Sequence, residues 1–263
     1  MICYDLRYQP LSIGDFVDYM EWSHILGEEL CYSYDPENPT IGDPGLRHIN
    51  KWNFAQYFEP FKSLCDVVYT HKIKYQYPTV DNRFYQFYNL YNNVFSQGVK
   101  PLPFKSDAWA KAFLLEHGVK YCIQIRVNPH ANNNKRNTPV PIWRSFVKKR
   151  PERFLMLGEC AGFRGHNTVI AKDFGTTIEQ DLALAAACDV YLGPPSGPAG
   201  AVIFNDKPYR IFNATVKAPR CSAVVEDGCN ARWKWAKHNQ VMTRGIEDLY
   251  LIEREFEACL KSA

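Results

Sequence analysis

Asp189-Val-Tyr-Leu-Gly-Pro-Pro-Ser-Gly-Pro-Ala-Gly-Ala-Val-Ile-Phe-Asn-Asp-Lys-Pro-Tyr-Arg-Ile-Phe212 is the stretch whose reading decides the fold. An apolar run too short for a helix is followed by a Gly/Pro/Ser turn, a small-residue segment and a second apolar run. This is the order strand, turn, short helix, strand. Ser196 and Gly197 fall where the helix begins. Ser is a preferred N-cap, and Gly permits a tight turn there. The unpaired N–H groups of a first helical turn, with the positive end of its dipole, favour an anion such as phosphate. The Pro194-Pro195 pair stiffens the approach to that turn.

Working back from this stretch, the same alternation recurs. Tyr121–Val127 reads as a buried strand, followed by an Asn/Lys/Arg-rich loop and a helix opened by Pro141 and running to about Lys149. Phe154–Leu157 and Thr168–Ala171 read as strands, Ile178–Ala187 as an Ala/Leu-rich helix, Asp189–Leu192 and Tyr209–Phe212 as two more strands. Strands alternating with helices imply a doubly wound α/β parallel sheet.

The first half opens in the same way. Ile2–Leu6 reads as a strand, and an amphipathic helix is expected from Phe16 to about Leu30. Pro, Gly, Asp and Asn between Tyr34 and Gly45 indicate a loop. Phe54–Cys65, Phe84–Phe95 and Ala108–His117 read as helices, and Val67–Tyr69 as a strand. The expected organisation is therefore a small, helix-rich first lobe over 1–117, a second lobe over 118–240, and a terminal helical segment over 241–263 packing across both.

Composition narrows the class. The 263 residues are 46% hydrophobic and 22% charged, an ordinary globular balance. No apolar run of transmembrane length occurs, and Asp5 and Arg7 interrupt the first apolar residues, so neither a signal peptide nor an integral membrane segment is expected. Nine Cys without CxxC pairing suit reduced core thiols and a cytoplasmic setting. A net charge of +3, with no basic tract interleaved with aromatics, gives no reason to expect nucleic acid. His130, His166 and His238 stand apart, and there is no HxH, HExxH or DxD pattern, so no metal site is expected.

Two lobes that each begin with a strand and a glycine-containing turn, Arg126 at a strand end, and the Leu192–Pro198 turn together resemble the GT-B class of nucleotide-sugar glycosyltransferases. The likeness is to its heptosyltransferase-like and fucosyltransferase-like members. It covers 119–213 and rests on Ile13-Gly14-Asp15 in the first lobe. It implies two Rossmann-like lobes with a cleft between them, a nucleoside diphosphate sugar as co-substrate on the second lobe, a glycan or glycolipid hydroxyl acceptor on the first, and no cofactor. An epimerase or hydrolase acting on the same donor, or a non-catalytic sugar-nucleotide binding module, are the alternatives.

The candidate residues follow from chemistry. Arg126 ends a buried strand, and a guanidinium holds phosphate oxygens in a fork, replacing a metal ion; an ion pair from strand to helix would equally explain it. Lys135 and Arg136 add positive charge to the loop that follows, or are simply solvated. Gly158 and Glu159 end the next strand, where they would border the nucleotide base. Thr177 and Glu179 open the Ala-rich helix, where an acid suits the dipole and can also accept from ribose hydroxyls. Asp15 has two readings, an N-cap for a helix starting at Phe16 or the general base of an inverting transfer. The resemblance favours the base, because heptosyltransferase-like enzymes carry a catalytic Asp just after a glycine in this loop. Asp18, Glu21 and Glu28 are weaker acidic candidates on the same helix.

Overall fold

The computed structural model describes residues 2–5, 13–33, 91–94, 97, 101–127, 137–214, 223–245 and 247–261. The expected loop at 34–45, helix at 54–65 and strand at 67–69 lie outside these residues, as do Lys135, Arg136 and His130. Of the helix expected at 84–95, the described turn 91–94 is helical. The chain forms two compact units, Met1–Phe104 and Lys105–Ala263.

The first unit contains strand β1 (Ile2–Asp5), helix α1 (Ile13–Leu26) and strand β2 (Leu30–Ser33). β1 and β2 pair in parallel, Ile2 opposite Leu30, so the segment is a β-α-β unit. Tyr4 of β1 packs edge-on against Phe16 and Tyr19 of α1, at 5.3 and 4.9 Å between ring centres. Edge-to-face pairs of this kind add to ordinary apolar burial.

Helix α1 departs from the expectation at both ends. It begins at Ile13, so Asp15 lies in its first turn rather than capping it. It stops at Leu26, because Gly27 takes a positive φ of 64° and the Glu28 amide donates back to the Ser23 carbonyl. Leu30, expected to end the helix, instead starts β2.

Glu21 is a buried acid whose two carboxylate oxygens accept from the Leu102 amide at 3.1 Å. Burial pushes its carboxyl up to about 8, against a smaller opposing effect of that amide. The folded unit thus holds a proton that the unfolded chain releases above pH 4.5. The associated stability is complete below pH 4.5 and is lost as pH rises through about 8, with a slope of up to ~1.4 kcal/mol per pH unit. Glu21→Gln keeps the acceptor and removes the titration. Urea unfolding should show this variant gaining on the parent between pH 5 and pH 8; equal shifts in both would place the titrating group elsewhere.

The second unit is built on one eight-stranded sheet, ordered β5-β4-β3-β6-β7-β10-β9-β8. Its strands are β3 (Tyr121–Ile125), β4 (Phe154–Gly158), β5 (Thr168–Ile170), β6 (Val190–Gly193), β7 (Tyr209–Ile211), β8 (Val224–Asp227), β9 (Asn230–Trp233) and β10 (Gln240–Thr243). β5 through β10 in this order are parallel, while β9 and β8 are antiparallel additions at the edge. The chain leaves β3 in one direction for β4 and β5, then returns to β6 on its other side. The strand order therefore reverses between β3 and β6, which is the doubly wound arrangement expected.

Helices cover both faces. α2 (Asp107–Glu116), α4 (Ile178–Ala187) and α5 (Gly197–Ile203) pack in succession on one face, and α3 (Val140–Lys149) with α6 (Leu249–Leu260) on the other. On the second face, Trp143, Phe146 and Val147 of α3 meet Ile123, Ile125, Phe154 and Phe256 in one apolar core. The spacing of those α3 residues, i, i+3 and i+4, is that of a helix burying one stripe. Each such large side chain contributes about 1.5–3 kcal/mol on burial.

Two boundaries differ from the sequence reading. The division between units precedes α2 rather than following it at residue 117, because α2 packs on α4, and the Ser106 hydroxyl before it reaches the Glu179 carbonyl at 3.5 Å. The sheet also extends beyond β7, so that 241–243 belong to β10 and the terminal helix starts only at Leu249, capped by the Asp248 carboxylate on the Leu251 amide at 2.7 Å. β8 and β9 form a hairpin joined by the two-residue turn Gly228-Cys229, in which Gly228 takes a positive φ of 58°.

Candidate functional site

In open α/β sheets, ligands bind outside the carboxyl ends of the strands, at the point where strand order reverses. Here that point lies between β3 and β6. Arg126 directly follows β3, and the Gly193–Gly197 turn directly follows β6. β3 and β6 are hydrogen-bonded neighbours, with Ile123 opposite Leu192. Two regions separated by about seventy residues in sequence are thus brought to one edge by the topology.

A buried polar cluster holds this edge together. Gln124 is buried within β3, and its Oε1 accepts from the Tyr191 hydroxyl at 2.5 Å and the Ser196 hydroxyl at 2.7 Å. A Cβ on Gly193 would lie 2.9 Å from the Tyr191 hydroxyl and 3.0 Å from the Gln124 Cβ, so only glycine leaves room for the cluster. Ser196 stands at the N-cap position of α5, but its hydroxyl makes no capping bond. This corrects the expected capping role: the side chain is committed to Gln124, and the turn is fastened to β3 instead. Gln124 itself was not among the expected site residues, although a glutamine inside the apolar run Tyr121–Ile125 is the kind of buried polar group that carries information.

Arg126 is half-buried, and its backbone is pinned by Thr138, whose hydroxyl accepts from the Arg126 amide at 2.9 Å while its own amide donates to the Arg126 carbonyl at 2.8 Å. The guanidinium donates to the Asn137 side-chain oxygen at 2.8 Å. Among the described residues no carboxylate pairs with it, so the alternative reading, an ion pair from strand to helix, finds no partner there. Partial burial lowers its pKa from the usual arginine value, the mark of a cation losing hydration without gaining an anion.

Gly158 and Glu159 end β4 beside Arg126. Gly158 pairs with Ile125 and has φ of 89°, and the Glu159 amide donates to the Ile125 carbonyl at 3.3 Å. The Glu159 carboxylate is exposed and pairs with Lys172 at 2.7 Å. Thr177 caps α4, with its hydroxyl accepting from the Gln180 amide at 3.2 Å and the Gln180 side chain accepting from the Thr177 amide at 2.9 Å. That capping box occupies the hydroxyl at the helix start. Glu179 sits in the same first turn, and its Oε1 is buried with no hydrogen-bond partner among the described residues. Because α4 runs back against the parallel strands, its start also lies at their carboxyl edge. The topology thus gathers Arg126, Gly158, Glu159, Thr177, Glu179, Ser196 and Gly197 along one edge.

The same edge carries a second buried cluster absent from the sequence reading. Glu247, after β10, accepts from the Trp143 indole at 2.5 Å and from the Asn213 side chain. Burial pushes its carboxyl up to about 7. Asn213, which follows β7, has a positive φ of 56°. Asn tolerates this left-handed conformation better than most residues.

Asp15 belongs to the first unit and is partly exposed in the first turn of α1. Of the weaker candidates, Glu21 is the buried acid described above and Asp18 is buried, while Glu28 is exposed. No group of three metal-ligating side chains forms among the described residues, and no helix there is long and apolar enough to cross a membrane.

No protein-family model matches the chain, and no curated protein matches it. Solved structures do. A glycosyl transferase of family 9 from Veillonella parvula superposes with a TM-score of 0.50 at 9% identity, over 100% of this chain and 97% of that one. E. coli heptosyltransferase WaaC with ADP-2-deoxy-2-fluoro heptose gives a TM-score of 0.46 at 11% identity, over 100% of both chains. The likeness to the Veillonella protein is one of fold, and with the doubly wound second unit it supports the GT-B-like α/β class expected from the sequence.

Proposed function

We propose that this protein is a glycosyltransferase that moves a sugar from a nucleoside diphosphate sugar to a hydroxyl acceptor in a glycan or glycolipid precursor. The observation that carries this reading is the pairing of Arg126 with the Gly193–Gly197 turn at the reversal point of the parallel sheet. The shared fold with a glycosyl transferase of family 9 supports it, since that architecture hosts this chemistry.

In this reading the acceptor oxygen bonds to the anomeric carbon as the bond from that carbon to the diphosphate oxygen breaks, with inversion. The leaving diphosphate takes the electron pair, and Arg126 neutralises its charge in the role a metal ion would otherwise fill. Lys135 and Arg136 supply further positive charge. Gly158 and Glu159 border the base. Glu179, whose Oε1 is buried and unsatisfied, accepts from ribose hydroxyls, with Thr177 beside it. Asp15 takes the acceptor proton. The reading places the protein in the cytoplasm.

The test begins with thermal melting against GDP-, UDP-, ADP- and CMP-sugars with chelator present, since a ligand that binds the native state raises the melting temperature. Transfer is then assayed with the stabilising donor. Asp15→Asn is expected to slow transfer by roughly 10²–10⁴-fold while leaving donor affinity intact. Arg126→Ala is expected to weaken donor binding by about tenfold or more. Donor breakdown without acceptor would instead indicate a hydrolase or epimerase, and binding without turnover a binding module. No stabilisation by any donor would remove the basis for the reading.

A further inference from the structure

A second guanidinium stands at the same edge and has been given no task. Arg144 lies in the second turn of α3, half-buried, and no carboxylate pairs with it among the described residues. Its Nε is buried with no hydrogen-bond partner there. A buried donor left unpaired is costly, so such groups in a folded protein call for a reason.

The surroundings hold Arg144 in place without neutralising it. Its guanidinium carbon lies 6.0 Å from the centre of the Phe163 ring. A Cβ on Gly162 would come within 2.3 Å of its terminal Nη2. The short 3₁₀ turn Ala161–Phe163 that follows β4 thus supplies an aromatic support and a gap shaped to the guanidinium. The neighbouring acids are committed elsewhere: Glu159 pairs with Lys172, and Asp173 pairs with Arg164. Glu179, at the start of α4, and Glu247, held by Trp143 and Asn213, are acids of this edge with no cation partner among the described residues. Arg126, directly after β3, and Arg144, on α3 against the turn that follows β4, are left as two cations without a carboxylate among the described residues.

We infer that Arg144 is a second phosphate-binding residue, which together with Arg126 forms a two-arginine clamp for a diphosphate. The inference rests on the proposed donor site and assigns it a further anchor. A forked donor after β3 and a second one on α3, beside the turn that follows β4, suit two linked phosphates better than one, and the unpaired Nε is the donor that the ligand satisfies.

The experiment is titration calorimetry of the full chain with inorganic pyrophosphate and with ADP, GDP, UDP and CDP, at two salt concentrations. The variants are Arg144→Gln, Arg144→Lys and Gly162→Ala. Gly162→Ala keeps the charge but puts a methyl where the guanidinium tip rests. The side chain is long enough to swing away, so folding is preserved while the placement is lost; melting curves verify this for each variant. Arg144→Gln and Gly162→Ala are each expected to weaken pyrophosphate and the bound nucleotide about tenfold, and Arg144→Lys to weaken them less. Parent affinity in both Arg144→Gln and Gly162→Ala overturns the clamp while leaving the donor site standing. Arg144-dependent binding of pyrophosphate with no affinity for any nucleoside diphosphate supports the clamp and removes the glycosyltransferase reading. No binding of either ligand by the parent protein overturns both.

Discussion

Gly158→Ala is expected to destabilise the second unit by about 2–6 kcal/mol, because the new side chain meets two separate obstacles. The backbone there has φ of 89°, a conformation that costs an L-residue about 1–3 kcal/mol. An added Cβ would also stand 2.1 Å from the Ile125 carbonyl oxygen, a backbone atom that cannot swing aside. Overpacking of this kind adds about 1–3 kcal/mol. At roughly 2–4 °C per kcal/mol the melting temperature should fall by roughly 4–24 °C. Gly175→Ala is the control: Gly175 has φ of 67°, but nothing lies within 4 Å of its Cβ position, so it carries only the conformational part. Equal melting of the two variants would show that the contact with Ile125 is not limiting. Since Ile125 directly precedes Arg126, relaxation around the new methyl should also weaken the donor binding proposed for that edge.

Glu255→Ala is expected to cost about 3–5 kcal/mol, the range for removing one partner of a buried ion pair. Arg210 of β7 and Glu255 of α6 are 4% and 5% exposed, so neither charge has water to fall back on. Their contact is 2.7 Å from Nε to Oε2. With the carboxylate gone, the Arg210 guanidinium keeps its bonds to the Tyr209 and Asn239 carbonyls but has lost its only anion among the described residues. Arginine cannot escape by losing its proton. The double variant Arg210→Met with Glu255→Leu should recover most of the loss, because well-packed apolar replacements avoid the desolvation of both ions. Urea unfolding of the three proteins measures this directly. A single variant costing under about 1 kcal/mol would mean that water reaches Arg210.

The strand-turn-helix-strand order around Leu192–Pro198 was legible because each part has its own local cause. Apolar runs bounded by Gly and Pro indicate strands, and the Ala/Leu-rich segment Ile178–Ala187 indicates a helix, and these elements lie where the sequence placed them. The alternation of the two types then constrains the sheet to be doubly wound. Arg126 and the Ser196-Gly197 turn were legible for the same reason, since a residue that ends a parallel strand emerges at the edge where ligands bind.

Strands β8 to β10 were harder to read, because Val-Val-Glu-Asp, Asn-Ala-Arg-Trp and Gln-Val-Met-Thr mix polar and charged residues into short runs instead of forming the apolar runs of β3 to β7, and the pairing of β10 with β7 depends on partners distant in sequence. Gln124, Glu247 and Arg144 have the same origin. A glutamine, a glutamate and an arginine look unremarkable along the chain. Their significance comes from what folding sets beside each: Tyr191 and Ser196, Trp143 and Asn213, Phe163 and Gly162. The sequence alone determined the class of fold and which residues end its parallel strands, because periodicity and turn chemistry are local properties. Only the tertiary structure decided which polar side chains at that edge are satisfied and which are left unpaired, because burial and partner choice are properties of contacts between distant segments.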